Sequence, residues 1–105
     1  MRVCYHPEFP KDILRFEADY ARISPVLGNR FRKEIEEAIQ AIKGSPGVAG
    51  HFIVLGSETI EHFRRRNLKT FPFFVMYGYI ADRLVFGAII PSRSDPLTWL
   101  TRFSS

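Results

Sequence analysis

The chain has 105 residues, of which 46% are hydrophobic, so it is long and apolar enough to bury the core of one domain, residues 1–105. Its formal net charge of +4 favours acidic partners, either nucleic acid or an acidic protein surface. The lone cysteine, Cys4, excludes an internal disulfide, and no apolar signal region follows a basic start, which predicts a cytoplasmic protein.

The first 23 residues predict a short strand and a helix. Residues 1–6 alternate so that Val3 and Tyr5 share one face, and this strand is expected to join a sheet at an edge or beside a late strand. Pro7 and Pro10 suit the first turn of a helix. Apolar side chains then recur at helical spacing at Ile13, Phe16, Tyr20 and Ile23, near which this helix should end.

A second helix is predicted to follow at once, with Ser24 as its N-cap and Pro25 at its first position. Its apolar stripe consists of Leu27, Phe31, Ile35, Ala38 and Ile42. Gly44 is expected to close the helix as the C′ residue. The outer face carries three oppositely charged pairs at i,i+4 spacing, which predict a solvated surface: Arg30 with Glu34, Arg32 with Glu36, and Lys33 with Glu37.

The middle of the chain is rich in turn residues. Residues 44–50 read as a loop, residues 52–55 as a weak strand, and Gly56 with Ser57 as another turn. Residues 59–69 predict a strand whose charge density suits an edge or a solvent-facing surface.

Residues 71–90 form the apolar centre of the sequence, FPFFVMYGYIADRLVFGAII. Asp82 and Arg83 at its middle would be costly inside a bilayer, so we interpret this stretch as a β-hairpin that turns at residues 81–83. Its apolar residues do not alternate with polar ones, so both faces of the sheet must be covered. We expect helices on one face and a C-terminal segment or a partner on the other.

The tail completes the predicted fold. Asp95 and Pro96 have the pattern of an N-cap and first residue of a helical turn, and Trp99 is expected to pack back on the sheet. The fold class is therefore α+β: an N-terminal strand, a helical hairpin on one face, a three-stranded antiparallel sheet and a short C-terminal tail.

With these elements in order, the chain resembles the RelE/ParE superfamily of type II toxins, and the ParE branch more closely. The resemblance is carried by HPEFPKDIL at the first helix, FPFFVMYGY in the sheet and IIPSRSDPLTW near the end. The residues that match the ParE pattern, with Phe73 in place of a tyrosine, are Phe71, Pro72, Phe73, Asp95, Pro96 and Trp99. The chain departs from the family at Pro91, where a histidine is common, and at Ser94, which separates Arg93 from Asp95.

The resemblance implies a growth-inhibiting toxin of a plasmid stabilisation system, neutralised by a cognate antitoxin polypeptide in a heteromeric complex. The antitoxin segment is expected to be acidic and to lie along the sheet as an amphipathic helix or an extended strand. ParE-like members poison DNA gyrase, whereas RelE-like members cleave messenger RNA on the ribosome. Neither activity implies a cofactor or a membrane.

The resemblance to the ParE branch implies an inhibitor that binds gyrase, and the residues favour such a non-enzymatic role over RNA cleavage. Cleavage through a 2′-hydroxyl needs a positioned base, an acid and cations on the phosphate, and no histidine or tyrosine follows Tyr79. The residues predicted to contact the target or the antitoxin are Arg65, Lys69, Arg93, Trp99 and Arg102.

A ribonuclease remains the alternative. On a strand, His62, Arg64 and Arg66 would share one face and could surround a phosphate. The same basic row would also serve to protect an exposed strand or to meet an acidic antitoxin. Cys4 and His6 share a strand face as well, but the chain has no second closely spaced ligand pair, so no metal site is predicted.

Overall fold

The computed structural model describes residues 1–52, 63–80 and 82–94. These residues form an α+β domain, as the sequence predicts. The elements in chain order are β1 (Arg2–Tyr5), α1 (Phe9–Ile23), α2 (Pro25–Gly44), β2 (His51–Phe52), β3 (Phe63–Asn67), β4 (Phe73–Ile80) and β5 (Arg83–Pro91). Most of the predicted 52–55 strand, the start of the predicted 59–69 strand and the tail from Asp95 onward lie outside the described residues.

The two helices are joined at Ser24, which caps both of them. Its backbone N–H donates to the Tyr20 carbonyl at the end of α1 (3.0 Å), and its Oγ accepts from the Val26 N–H at the start of α2 (3.2 Å). Gly28 then allows the helices to approach, because a Cβ at this position would lie 2.9 Å from the Cβ of Ala21. The predicted hairpin and its cap are confirmed.

The end of α2 differs from the prediction. Gly44 is the last helical residue, and the cap is Ser45, whose N–H donates to the Ala41 carbonyl at 3.2 Å. Gly44 therefore does not act as the left-handed C′ residue. A regular backbone bond closes the helix instead, so the conformational freedom of glycine is not needed here.

The outer face of α2 is also less solvated than predicted. Arg32 does pair with Glu36 (3.3 Å), and it also reaches Glu17 of α1 (3.0 Å). Glu34 accepts the backbone N–H of Thr70 at 2.7 Å. These contacts use charged residues to fix α2 against α1 and against the turn before β4.

The sheet has five strands in the order β1-β5-β4-β3-β2. Strands β2, β3, β4 and β5 pair with one another in antiparallel fashion, whereas β1 lies parallel to β5 at one edge, as expected for a strand beside a late strand. Asp82 turns the β4–β5 hairpin with a left-handed φ of 62°. Gly87 is the extra residue of a bulge, since Met76 pairs with Ala88 whereas Tyr77 pairs with Phe86.

Both helices pack on one face of the sheet and form the main core. Its largest buried side chains include Phe9, Phe31, Ile35, Ile42, Val75, Tyr77, Leu84, Phe86 and Ile89. The opposite face has a second core, which we call the rear cluster: Phe74, Met76, Ala88 and Ile90, with Phe63 packed against it.

The burial of the rear cluster tests the expectation that a C-terminal segment or a partner covers this face. The four residues Phe74, Met76, Ala88 and Ile90 are 0% exposed within this single chain. A partner is therefore not required to cover them, and the apolar content of β4 and β5 is not by itself a sign of a missing polypeptide.

Candidate functional site

The candidate site begins with the three consecutive arginines of β3. Arg64 lies opposite Tyr77, Arg65 opposite Met76 and Arg66 opposite Val75. Because Tyr77 and Val75 belong to the main core whereas Met76 belongs to the rear cluster, Arg64 and Arg66 lie on the helix side and Arg65 on the other side. The alternation predicted from the sequence is confirmed for Arg64 and Arg66.

Arg64 and Arg66 bind the loop between α2 and β2. The Arg64 guanidinium donates to the Gly47 carbonyl (3.0 Å), and the Arg66 guanidinium donates to the Ala49 carbonyl (2.7 Å). The Tyr77 hydroxyl donates to the Pro46 carbonyl at 2.8 Å. We call Arg64, Arg66 and Tyr77 the loop anchor, because together they hold residues 46–49 against the sheet.

Gly50 completes this arrangement. A Cβ at position 50 would lie 2.6 Å from the Arg65 carbonyl oxygen and 2.8 Å from the Tyr77 hydroxyl oxygen. Only a residue without a side chain fits so close to β3, and the loop therefore returns to the sheet at glycine.

The electrostatics of the loop anchor keep its phenol protonated. Burial of the hydroxyl raises the pKa of Tyr77 above its ordinary value of 10.0, and the charges of Arg64 and Arg66 only partly oppose this increase. At neutral pH the hydroxyl is therefore a hydrogen-bond donor to Pro46. Its proton is engaged inside the protein, which makes it a poor acid for an external substrate.

Arg65 has a different environment. Its guanidinium lies 3.9 Å from the centre of the Phe74 ring, and its Nε and Nη2 donate to Asn67 Oδ1 at 3.2 and 2.9 Å. The side chain is half-buried and covers part of the rear cluster. Arg65 thus contributes packing as well as charge.

Among the described residues of the predicted set, Lys69 and Arg93 are the exposed cations. Lys69 lies in the turn between β3 and β4, and Arg93 lies in the turn that follows β5. The two turns are joined by a hydrogen bond from the Ser92 N–H to the Pro72 carbonyl at 2.9 Å. Both cations therefore project from the same end of the sheet.

A groove of about 240 Å³ separates α2 from β3 beside Lys69. Its charged lining is mixed, since Glu34 and Glu37 face Arg66 and Lys69 across it. Such a lining does not favour a phosphate, because the carboxylates offset the cations. The basic end of the sheet is better suited to a broad surface contact than to an enclosed anion site.

Three of the predicted site residues, His62, Trp99 and Arg102, lie outside the described residues. The structure thus brings Arg64 and Arg66 together around one loop and places Lys69 and Arg93 at one end, while Arg65 lies on the opposite face. The assignment of these residues to a target or an antitoxin stays a prediction.

Sequence reasoning missed Asp12. This carboxylate is 3% exposed and accepts the backbone N–H of Ile89 in β5 at 3.1 Å. Ile89 lies beyond residues 83–86 of β5, which pair with β1, so Asp12 takes the place of a strand partner there. An acidic residue in the first turn of a helix is common and gives no signal of a contact 77 positions away.

No family model and no curated protein sequence matches this chain. A solved structure described as "Chromosomal ParDE TA system from P. aeruginosa" contains a chain with a TM-score of 0.72 and 15% identity, over 87% of this chain and 95% of that chain. At this identity the likeness shows the fold alone, and it confirms the predicted RelE/ParE-like α+β architecture.

Two further observations bear on cofactors and membranes. Within residues 1–52, 63–80 and 82–94, no three His, Cys, Asp or Glu side chains are grouped to hold a metal ion. Neither helix of that part of the chain has the length and apolar character to cross a bilayer.

Proposed function

We propose that the chain is the toxin of a type II toxin–antitoxin module, that it inhibits DNA gyrase by binding, and that a cognate antitoxin neutralises it. The observation that carries the proposal is the shared fold with a chain of a ParDE toxin–antitoxin system, which extends over 87% of this chain. The ParE-like residues at Phe71, Pro72 and Phe73 support the gyrase branch.

The loop anchor supports an inhibitor over a ribonuclease. In the ribonuclease alternative, Arg64 and Arg66 bind the scissile phosphate beside His62. Both guanidinium groups instead donate to backbone carbonyls of residues 47 and 49, and a phosphate would have to compete with those bonds. The nearby phenol of Tyr77 is fully buried. These contacts give the arginines a structural role.

Binding to gyrase would then use the exposed cations. Lys69 and Arg93 at one end of the sheet are the central contacts, joined by Arg65 and by the sequence-predicted Trp99 and Arg102. The toxin would stabilise the cleavage intermediate of gyrase and DNA without a covalent step of its own. Surface cations that meet acidic groups or phosphates give an affinity that falls with salt.

The test is supercoiling by purified gyrase in the presence of the protein. We expect the wild type to inhibit supercoiling and the double variant Lys69→Glu and Arg93→Glu to lose inhibition at least about tenfold, equivalent to about 1.4 kcal/mol. Arg30→Glu is the matched control, because Arg30 is an exposed arginine on α2. All variants should melt within a few degrees of the wild type.

A second assay separates the two toxin activities. After induction in cells, messenger RNA is mapped for cleavage on ribosomes. Intact messages with inhibited supercoiling support the proposal. Cut messages with normal supercoiling would contradict it and would make His62 and Arg64 the first residues to substitute.

The antitoxin is tested by regulated expression with and without the adjacent small gene. We expect growth arrest with the chain alone and relief when the neighbour is expressed, with both products in one complex. Normal growth at high expression of the chain alone would remove the basis for the toxin assignment.

A further inference from the structure

Two arginines lie side by side at one end of the sheet. Arg2 of β1 and Arg83 of β5 are partners in the parallel register of these strands, and both side chains are exposed. Neighbouring strands are about 4.8 Å apart, and partners in register direct their side chains to the same face. The next pair along, Val3 and Leu84, faces the helices, since Leu84 belongs to the main core. Arg2 and Arg83 therefore lie on the opposite face, which is the face of the rear cluster.

This arrangement of like charges is unfavourable without an anion. Cations that lie directly opposite each other on neighbouring strands destabilise a sheet. Within residues 1–52, 63–80 and 82–94, neither guanidinium group has a carboxylate partner or a side-chain hydrogen bond. Asp82, the acidic residue of the adjoining turn, pairs instead with the Met1 amino group at 3.4 Å. Two positive charges with their hydrogen-bond donors are thus available to one ligand.

The backbone beneath the two arginines is fixed by the sheet. The Arg2 N–H donates to the Asp82 carbonyl at 3.1 Å, and Arg83 also pairs with Ile80 of β4. An arriving anion would order two side chains but would not need to order the backbone that carries them. This lowers the entropy lost on binding.

The surroundings of the arginine pair favour a phosphate over an acidic protein surface. Protein interfaces have an apolar core, whereas interfaces with nucleic acid are more polar and more positively charged. On this face the neighbours in register are Cys4 and Val85, which are both half-buried. The exposed apolar residues of β1, Val3 and Tyr5, lie on the helix face. A phosphate has two free oxygens, so it can accept from two guanidinium groups at once.

The same surroundings favour a duplex over a single strand. Proteins that bind single-stranded nucleic acid stack its bases on exposed aromatic rings. Tyr5 is the aromatic residue of β1, but it lies on the helix face, where its ring stacks on Phe86 with centroids 5.1 Å apart. The arginine pair supplies charge without a stacking surface. Such a contact suits the phosphate backbone of double-stranded DNA.

The two ends of the sheet differ in their electrostatics. Lys69 and Arg93 project from the other end of β4, whose eight residues span roughly 23 Å. The groove beside Lys69 contains Glu34 and Glu37, whose charges offset the cations there. A phosphate would be repelled by these carboxylates. The end with Arg2 and Arg83 is therefore the better site for DNA.

We infer that Arg2 and Arg83 together bind one backbone phosphate of duplex DNA. The inference rests on the proposed function for its setting, because gyrase holds the DNA that it cleaves. The toxin then contacts gyrase through Lys69 and Arg93 and contacts DNA through the arginine pair at the opposite end of the sheet. Because a phosphate is the same at every base pair, the contact is independent of DNA sequence.

The direct test is fluorescence anisotropy of a labelled duplex of about 20 base pairs, titrated with the protein alone from about 50 to 200 mM salt. We expect the double variant Arg2→Gln and Arg83→Gln to bind at least about tenfold more weakly. Its plot of log affinity against log salt should lose about 0.9 from the slope, the value for one phosphate. An unchanged slope would overturn the inference. A loss of about 1.8 would mean two phosphates and would overturn the shared contact.

The control removes the same charge elsewhere. Arg30→Gln with Lys33→Gln changes two exposed cations on α2 and should weaken DNA binding less than about threefold. If both double variants lose affinity equally, net charge alone explains the binding and the inference fails. Circular dichroism melts verify folding. The variant of Arg2 and Arg83 should melt at or above the wild-type temperature, because the repulsion between the two cations is removed.

Gyrase supercoiling, measured with the same proteins, separates the two proposals. If the wild type binds DNA through the arginine pair but does not inhibit supercoiling, the proposed function fails and the DNA contact stands. If the wild type inhibits supercoiling while the variant of Arg2 and Arg83 binds DNA as well as the wild type does, the DNA inference alone fails. Tighter binding to single-stranded RNA of the same sequence would replace DNA with RNA. Absence of DNA binding, with a weaker complex between that variant and the product of the adjacent small gene, would assign the pair to an acidic protein instead.

Discussion

The two edges of the sheet use positive charge in opposite ways. At the β3 side, Arg64 and Arg66 direct their guanidinium groups into the protein, where backbone carbonyls accept from them. At the β1 side, Arg2 belongs to the strand and Lys43 lies beside it, and the outer backbone groups of β1 are unpaired by any described residue. The density of cations in the sequence therefore does not show which cations a partner can reach. The sequence is most basic at β3, but Arg64 and Arg66 there make hydrogen bonds within the protein.

The largest effect is expected from a core substitution that unfolds the domain and so disrupts both edges of the sheet. Val75 is 0% exposed at the centre of the main core, and Val75→Asp would bury an unpaired carboxylate. We expect a loss of about 4 kcal/mol or more, enough to unfold a domain of ordinary stability. Val48→Asp is the control, because Val48 is 83% exposed and should change stability by less than about 0.5 kcal/mol. Chemical denaturation measures both, and equal midpoints would contradict the described core.

The next largest effect is expected at the part of β5 that extends beyond β1, where Asp12 accepts the Ile89 N–H. Asp12→Ala removes the carboxylate that accepts the buried Ile89 N–H, and we expect a loss of about 1–3 kcal/mol in unfolding free energy. Asp12→Asn keeps an acceptor oxygen and should lose less. Asp19→Ala, at an exposed position on the same helix, controls for helix propensity. If the two alanine variants unfold at the same denaturant concentration, Asp12 does not support β5.

A smaller effect is expected at the loop anchor. Tyr77→Phe removes the hydroxyl that donates to the Pro46 carbonyl and should lower the unfolding free energy by about 1 kcal/mol. Hydrogen exchange should increase in residues 46–50 while β1 stays unchanged. Tyr79→Phe, at a half-buried position on the same strand, provides the comparison. Faster exchange at β1 in Tyr77→Phe would show that the two edges are coupled.

The smallest expected effect is a pH dependence at the loop anchor. Burial raises the pKa of Tyr77, so above pH 10.0 the folded protein keeps a proton that the unfolded chain has lost. Stability is therefore complete below this pH and falls as the pH rises further. Burial also raises the pKa of Tyr20, with the Asp19 charge adding to it. Tyr77→Phe should reduce the alkaline decline in denaturation midpoints without removing it, and an unchanged slope would contradict the assignment.

Local patterns predicted most of the fold. The Ser24-Pro25 cap and the two apolar stripes indicate a helical hairpin, and the polar turn at Asp82 divides one apolar stretch into β4 and β5. These patterns depend on residues that are only a few positions apart. They predict the helices and strands correctly because the tertiary contacts favour the same local structure.

The contacts of the candidate site could not be predicted in the same way. Arg64 and Arg66 each bond to a carbonyl 17 positions earlier, in a loop without regular structure. Sequence periodicity gives no sign of such a hydrogen bond. The sequence therefore distinguishes the two faces of β3, but it does not show which guanidinium groups are hydrogen-bonded within the protein. The sequence likewise leaves open whether this chain or a partner covers the rear cluster, because apolar content does not show how much apolar surface one chain can enclose.

The pairing of β1 with β5 also determines the order in which the molecule is completed. Arg2 and Arg83 are in register, so β1 must wait after its synthesis until β5, the last strand described, has been made. At common synthesis rates that interval is on the order of 10 s, during which only the helical hairpin has local partners. Bringing β1 and β5 together also costs loop-closure entropy, because the two strands are far apart in the sequence, and this cost slows folding. The nascent chain therefore carries β1 without its sheet neighbour until β5 has been made, so the sheet is completed late in synthesis.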